Sequence, residues 1–411
     1  MYSRRVKTGA FVLEALNAFA TTLYFYYLFF YMRDQYGFSN LGNLSLSAVN
    51  GFVYAFAAWF GGQFAQRRGY FSALRLGFSV MAIALLGASQ VHTVAGHFAT
   101  MIIWTLGICF TWPTLEAIVS ERQPPAQLQR LIGIYNLVWA TASGLAYFVG
   151  GALLEQLGRS SIFFVPLALH GAQLVVLSWL EKENRQGTEA RQGNPAPPNP
   201  ARLGEDRRRS PVPPAAFLKM AWLANPFAYI AISALLPVIP RLADRFHLSP
   251  TLAGVFCSVW FFARAASFLV LWQWTGWHYH FRWLSGAFVA MGGCFALILL
   301  ASNLWVLVAA QVVFGFALGL IYYSSLFYSM DVGETKGEHG GFHEAAIGAG
   351  ICVGPSLGAA TLYFTPEHPN ASTWAVSGLI LVGFFALLVL RWRQPQPAAI
   401  PANDADGGHC R

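Results

Sequence analysis

The sequence predicts an all-α integral membrane protein with twelve transmembrane helices in two pseudo-symmetric six-helix bundles. Hydrophobic residues make up 56% of the 411 residues and charged residues only 11%, whereas soluble domains carry roughly 25% charged residues. Apolar runs of about 20 residues recur along the chain, which is enough for a helix to cross roughly 30 Å of hydrocarbon. Lipid offers no partners for backbone polar groups, so such runs must be helical. The alternating pattern of an outer-membrane barrel is absent from the sequence.

Twelve apolar runs define the predicted spans. They cover residues 8–31, 41–64, 71–91, 97–119, 130–154, 161–180, 216–240, 249–274, 282–302, 304–329, 339–364 and 372–392. The basic segment Met1–Lys7 precedes the first run, as in a signal peptide. That run is too long for the apolar core of a signal peptide, so we expect an uncleaved first helix.

The segment between the sixth and seventh spans is rich in proline and charge. Such a composition cannot bury a core, which predicts a disordered cytoplasmic linker over residues 183–214. The expected organisation is an N-terminal six-helix half over 1–182, a C-terminal half over 215–394, and a cytoplasmic tail over 395–411.

Basic residues are distributed unequally between the two predicted membrane faces. Of 26 lysines and arginines, 21 lie in the termini, the even-numbered loops or the linker. The other face carries four, Arg33, Arg159, Arg241 and Arg245, and Arg264 lies inside a span. Because positive residues mark the cytoplasmic side, both termini are predicted to be cytoplasmic. Arginine outnumbers lysine 22 to 4, which favours a GC-rich bacterial genome and therefore a bacterial inner (plasma) membrane.

The two halves repeat at a constant offset. Asn17-Ala-Phe-Ala20 recurs 208 positions later as Asn225-Pro-Phe-Ala228, and Arg33 falls on Arg241 at the same offset. Such matches indicate a duplicated six-helix unit.

The loop after the second span reads Gly62-Gln-Phe-Ala65-Gln66-Arg67-Arg68-Gly69. Together with six plus six spans and a polar central linker, it resembles the major facilitator superfamily, whose loop signature is Gly-x-Leu-Ala-Asp-Arg-x-Gly. Gln66 stands where the family usually carries Asp. The resemblance implies a secondary transporter with a substrate site near the bilayer midplane between the halves and alternating access. It also makes Gln66 and Arg67 candidates for gating.

Arg264 is the cation that lies deepest in a predicted span. An ionisable side chain at the centre of a span costs about 2.5–3.5 kcal/mol, so its presence there calls for a functional or structural role. Its guanidinium could hold an anionic substrate group in a bidentate fork. The alternative is a structural ion pair with an acidic residue of a neighbouring span.

Acidic residues in the first and eleventh spans are candidates for coupling and gating. A buried carboxylate without a cationic partner is costly to keep charged, so Glu14 is a candidate proton site; the alternative is a structural or interfacial carboxylate. His343 and Glu344 are adjacent and point about 100° apart on a helix of 3.6 residues per turn, so either could serve in a gate, but both cannot face one partner. Glu116, near the end of the fourth span, is expected to reach the membrane interface.

Neutral polar and aromatic residues complete the candidate substrate contacts. Asn17 and Asn225 are symmetry-related and could hydrogen-bond a solute from both halves. The alternative is helix–helix hydrogen bonding, worth on the order of 0.6 kcal/mol in membranes. For the aromatic residues, the alternative is packing or an interfacial belt. The weaker candidates are Asn50, Asn136, Gln311, Tyr24 and Tyr322.

The sequence contains no phosphate-binding Gly-x-x-x-x-Gly-Lys-Ser/Thr loop, no Gly-x-Ser-x-Gly elbow and no His-Glu-x-x-His pair. We therefore expect no enzyme activity, no cofactor and no metal. The leading hypothesis is secondary active or facilitative transport of a small solute, with an anionic substrate and proton coupling as open possibilities. The alternative is a non-transporting receptor or scaffold of the same fold. Expected partners are the solute, protons or another coupling ion and the lipid bilayer, with no nucleic acid and a monomeric state.

Overall fold

The computed structural model describes residues 2–120, 125–189, 212–332 and 336–394, and these contain helices and no strand. The helices, some of them sharing one span, are α1 Arg4–Tyr36, α2 Asn40–Arg68, α3 Tyr70–Ala88, α4 Val94–Ile108, α5 Trp112–Ser120, α6 Pro125–Gln156, α7 Ser161–Glu189, α8 Pro214–Leu235, α9 Ile239–Arg245, α10 Pro250–Cys257, α11 Val259–Gln273, α12 Phe281–Leu300, α13 Leu304–Val332, α14 Lys336–Phe364 and α15 Ala371–Trp392.

Within the described residues, eleven helical stretches are long and apolar enough to cross a membrane. Helix α1 has sufficient length but lower hydropathy, because it carries Glu14, Asn17 and several tyrosines. Those polar groups are buried by neighbouring helices instead of facing lipid. The prediction of an all-α membrane fold is therefore confirmed.

The helices pack as two halves, α1–α7 and α8–α15, that meet along two seams. In one seam α2 packs along α14, and in the other α6 packs along α10 and α11. We call the end of the bundle where α1 begins and α7 ends the terminal face, which an ion pair between Arg5 and Glu183 at 3.4 Å brings together. The other end, with the α1–α2 and α9–α10 loops, is the distal face.

The fourth predicted span is broken into α4 and α5 at Pro113. Proline has no backbone N–H, so the carbonyl of Cys109 lacks its usual helical donor. Gly61 of α2 lies against that carbonyl, and a Cβ atom at Gly61 would stand 2.1 Å from the oxygen. The break therefore lets α2 approach this span closely.

The seventh predicted span is broken between α8 and α9 by a 3₁₀ turn, Leu236–Val238. Pro237 removes the donor for the Ser233 carbonyl, which accepts a hydrogen bond from the Ser47 hydroxyl at 3.4 Å. The Pro237 carbonyl accepts another from the Asn43 amide at 3.2 Å. The break therefore links the two halves.

Helix α7 runs to Glu189, into the segment predicted as linker. Its charged end remains helical because Arg185 pairs with Glu181 one turn earlier at 2.7 Å. Arg75 of α3 also pairs with Glu181, at 2.5 Å. The rest of the predicted linker, apart from 212–214, and the tail after 394 lie outside the described residues.

Candidate functional site

A cavity lies between the two halves, and both contribute to its wall. The empty space within it and its opening measures about 1030 Å³. Aromatic side chains form much of the wall, and the ionisable lining groups fall into two sets: the cation Arg264 and the acids Glu14, Glu116 and Glu344. This is the position between the repeats at which the sequence predicted a substrate site.

Arg264 projects from α11 and is 2% exposed. Its guanidinium carbon lies 4.6 Å from the ring centroid of Trp139, 4.9 Å from that of Tyr322 and 5.6 Å from that of Phe268. Rings at these distances attract the cation through their negative faces. In the described part of the chain no carboxylate lies within 4.0 Å of the guanidinium, and its Nε has no hydrogen-bond partner. The alternative of a structural ion pair has no support among these residues.

The three carboxyl groups lie on helices α1, α5 and α14. Glu14 is fully buried, and neither of its oxygens has a hydrogen bond of good geometry with any described residue. The Tyr135 hydroxyl and the carboxyls of Glu116 and Glu344 are within electrostatic range of it. Glu344 accepts a hydrogen bond from the Tyr54 hydroxyl at 2.5 Å. The acids therefore form one group in the half of the cavity nearer the terminal face.

Glu116 lies in the cavity wall and not at the membrane interface where the sequence led us to expect it. The expectation counted residues to the end of the span, which fixes depth but not direction. Helix α5 packs against α1, α2 and α6, and the carboxyl group points between them.

Hydrogen bonds join the two halves at the distal face. The Arg33 guanidinium donates to the Pro240 carbonyl and to Asp244, each at 2.8 Å. Glu155 of α6 accepts from the backbone N–H of Thr251 at 3.2 Å and from its hydroxyl at 2.6 Å. The distal face is therefore held closed by polar contacts.

Toward the terminal face the halves meet through the hydrogen bond from Tyr54 of α2 to Glu344 of α14 and through apolar contacts. Leu128 and Ile132 of α6 pack on Leu326 of α13. Gln66 and Arg67, the gating candidates in the signature loop, are exposed at the end of α2. Arg67 has no ion pair among the residues described. The terminal face is thus joined by this hydrogen bond and a small apolar cluster.

Several candidate substrate contacts lie outside the cavity wall. The Asn17 amide donates to Thr111 at 3.2 Å, beside the α4–α5 break. The Gln311 amide donates to the Phe256 carbonyl at 2.7 Å. The others are buried between helices: Asn225 and Asn136, each 2% exposed, and Tyr24, whose ring lies 4.8 Å from that of Trp104. Asn17 and Gln311 thus bond to neighbouring helices, as the alternative expects, whereas neither polar atom of the Asn225 side chain has a partner among the described residues.

Asn50 and Tyr322 do line the cavity, together with Arg264, Glu14 and Glu344. The Asn50 amide donates to the Thr105 hydroxyl at 2.7 Å. The side chain of His343, the other gating candidate, lies outside the described residues.

Sequence reasoning missed most of the aromatic wall. The missed lining residues include Tyr54, Tyr135, Trp139, Tyr229 and Trp260. Aromatic residues make up 16% of the whole chain, so their presence in a span does not distinguish a cavity wall from a lipid-facing surface. The available signal was the presence of tyrosine and tryptophan inside predicted spans. Their polar tips usually need a hydrogen-bond partner when buried, which favours a polar cavity over lipid.

Long apolar helices in two halves with a cavity between them are the architecture of a multi-pass membrane transporter. The sequence matches the family model of the Major Facilitator Superfamily twice, over residues 10–225 and 221–408. The chain belongs to this superfamily, which confirms the resemblance drawn from the spans and the signature loop.

Two solved structures share the fold. The chain aligns over 93% of its length with 99% of a human organic anion transporter, MFSD10 (TETRAN), at a TM-score of 0.62 and 16% identity. It aligns over 94% of its length with 99% of the nucleoside transporter NupG, at a TM-score of 0.66 and 14% identity.

Curated relatives match shorter segments. A probable quinate permease of Aspergillus fumigatus is 24% identical over 148 residues, which are 33% of this chain and 27% of that protein. A methylenomycin A resistance protein of Streptomyces coelicolor is 28% identical over 124 residues, 29% of this chain and 26% of that protein. The chain thus matches about a quarter of the length of these relatives.

Proposed function

We propose that this protein moves a small organic solute across the membrane by alternating access, coupled to protons, with the cavity between the halves as its binding site. The observation that carries the proposal is the cavity itself, which both halves line and which holds buried ionisable groups that form no ion pair with any described residue. A rocking motion of one half on the other would expose such a cavity to each side in turn.

Arg264 is the proposed contact for an anionic group of the solute. Its guanidinium packs against the rings of Trp139 and Tyr322 and lies within hydrogen-bonding reach of the Tyr229 phenol, and its buried Nε is a donor left for a ligand. A guanidinium edge binds a carboxylate through two parallel hydrogen bonds. The name of one structural neighbour, an organic anion transporter, is compatible with this contact.

Glu14 is the proposed proton site. Keeping an unpaired carboxylate charged in a buried position is costly, whereas the protonated form is neutral. Its neighbours Glu116 and Glu344 add repulsion when all three are ionised. Uptake and release of a proton at this group would therefore be sensitive to the opening and closing of the cavity.

The proposed orientation places both termini, and hence the terminal face, in the cytoplasm. The support is the distribution of basic residues, 21 against four. In that orientation the hydrogen bonds of the distal face close the outer side. The excess of arginine over lysine supports a bacterial inner membrane as the location.

The test begins with a solute panel screened by thermal stabilisation, since a ligand that binds only the folded state raises its melting temperature. The stabilising solute is then followed into proteoliposomes with and without an imposed proton gradient. We expect gradient-driven accumulation in the wild type and in Glu181→Gln, a matched variant on the terminal face. Glu14→Gln should still exchange solute that is supplied at a saturating concentration, but without accumulation. Accumulation by Glu14→Gln at the wild-type level would contradict the proton role.

A further inference from the structure

The two sets of ionisable groups in the cavity lie on different walls. Arg264 sits on α11 against rings from α6 and α13, whereas the acids sit on α1, α5 and α14. The charges within electrostatic range of Glu14 are Glu116 and Glu344, and Arg264 is not among them. The cavity therefore has a positive pole and a negative pole that do not neutralise each other.

Each pole contains a buried polar atom that has no hydrogen-bond partner of good geometry among the described residues. At the positive pole the Arg264 Nε is buried and donates to nothing. At the negative pole both Glu14 oxygens are buried, in a side chain that is 0% exposed, and the neighbouring Tyr135 hydroxyl is not in good hydrogen-bond geometry with them. Buried charged groups are normally paired or hydrogen-bonded. An unmatched donor and an unmatched acceptor in one cavity indicate a ligand that supplies an acceptor to one and a donor to the other.

Aromatic rings occupy the space between the poles. The phenol groups of Tyr229 and Tyr322 are each within electrostatic range of Arg264 and also of Glu116 and Glu344. The two rings themselves lie 6.4 Å apart at an interplanar angle of 61°. A flat apolar group would pack against the open faces of such rings, and the aromatic faces would also attract a nearby ammonium group.

From this arrangement we infer that the solute is a zwitterion with an aromatic or similarly flat apolar body, whose carboxylate binds Arg264 and whose ammonium group binds the Glu14–Glu116–Glu344 cluster. The inference rests on the proposed function and narrows its substrate class. A purely anionic solute would leave the acidic cluster without a partner, and a purely cationic one would leave Arg264 without an acceptor.

Three probes that share one body separate the contributions of the poles. They are phenylalanine, which carries both charges, phenethylamine, which lacks the carboxylate, and 3-phenylpropionate, which lacks the ammonium group. Dissociation constants are measured on the full-length purified protein by ligand-dependent thermal stabilisation. We expect phenylalanine to bind at least ~30-fold more tightly than either single-charge probe, because truncating one partner of a buried charge pair has an effect of this order or larger.

Variants assign each contact. Arg264→Gln should weaken phenylalanine and 3-phenylpropionate and leave phenethylamine unchanged. Glu14→Gln should weaken phenylalanine and phenethylamine and leave 3-phenylpropionate unchanged. If Glu14→Gln does not fold, Glu344→Gln on α14 makes the same comparison. Arg159, which is exposed, and Glu181, which is partly exposed and does not line the cavity, provide matched controls. In Arg159→Gln and Glu181→Gln all three constants should match the wild type.

Equal binding of 3-phenylpropionate and phenylalanine would overturn the inference, as would equal binding of phenethylamine and phenylalanine or binding of none of the three. If 3-phenylpropionate binds as tightly as phenylalanine and is also accumulated in proteoliposomes, the zwitterion inference fails while the proposed transport function stands. Binding without movement of any probe across the membrane would instead count against transport itself.

Discussion

Replacing Gly151 by alanine should open the distal face of the protein. Gly151 lies in α6 against the start of α10, beside the contact between Glu155 and Thr251 that joins the halves. A Cβ atom at Gly151 would stand 1.9 Å from the Pro250 carbonyl oxygen and 2.7 Å from the Thr251 nitrogen. Both of these atoms belong to backbone, so a rotamer change cannot remove the clash.

The size of the effect follows from this distance. Separations under 3.0 Å are essentially never seen for real Cβ atoms, so the two helices must move apart by about 1.1 Å, the difference between 3.0 and 1.9 Å. Overpacking of this kind costs about 1–3 kcal/mol. The clash exists only while the distal face is closed, so the cost falls on the closed state. The ratio of open to closed molecules should rise roughly 5- to 150-fold.

The assay is a distance measurement between spin labels on distal loops of the two halves, at Gln90 and Glu367, which are both exposed. We expect Gly151→Ala to add a longer-distance population that the wild type lacks or has at a lower level. Gly171→Ala in α7 is the matched control, because no heavy atom lies within 4 Å of its added Cβ. A folded Gly151→Ala protein with the distance distribution of the wild type would refute the reasoning.

Three further predictions concern the contacts between the halves and the cavity wall. Asp244→Asn removes one ionic partner of Arg33. It should shift the same spin-label distances by less than Gly151→Ala does, because an exposed ion pair is worth roughly 0.2–1 kcal/mol. If the distances do not shift in low salt, the pair has no role in closing the distal face. Tyr54→Phe removes the hydrogen bond to Glu344, and the loss of about 1–3 kcal/mol should lower the melting temperature; an unchanged value would mean that the bond contributes nothing to the state observed. Trp139→Leu removes the ring that packs against the Arg264 guanidinium, a contact worth about 0.5–2 kcal/mol. The variant should bind an anionic probe more weakly. An unchanged affinity would indicate that the ring does not position the cation.

The architecture was largely predictable because the membrane imposes it. Run length sets the spans, and the 208-residue offset between Asn17 and Asn225 indicated two equivalent halves. Breaks within spans were not predicted, although their cause was visible. Pro113 and Pro237 each withdraw a backbone donor, but the sequence does not show that Gly61 and Ser47 would lie against the carbonyls set free.

The site was harder to predict because the direction of a side chain is not encoded in its depth. Glu14 and Asn17 lie three residues apart on α1, yet the first lines the cavity and the second bonds to Thr111. All faces of a buried membrane helix are largely apolar, so periodicity does not separate the cavity side from the packed side. Glu116 shows the same limit, since its distance from the end of the span suggested the interface while α5 turns it inward.

Counterflow in proteoliposomes tests most directly whether the cavity carries solute between the two sides. Vesicles are loaded with an excess of the unlabelled solute that stabilises the purified protein, and the entry of trace labelled solute is followed from outside. A carrier with one alternately exposed site predicts a transient accumulation of label above equilibrium, which Arg264→Gln should abolish and Arg159→Gln should retain. Binding of the solute without any exchange across the membrane would contradict the account.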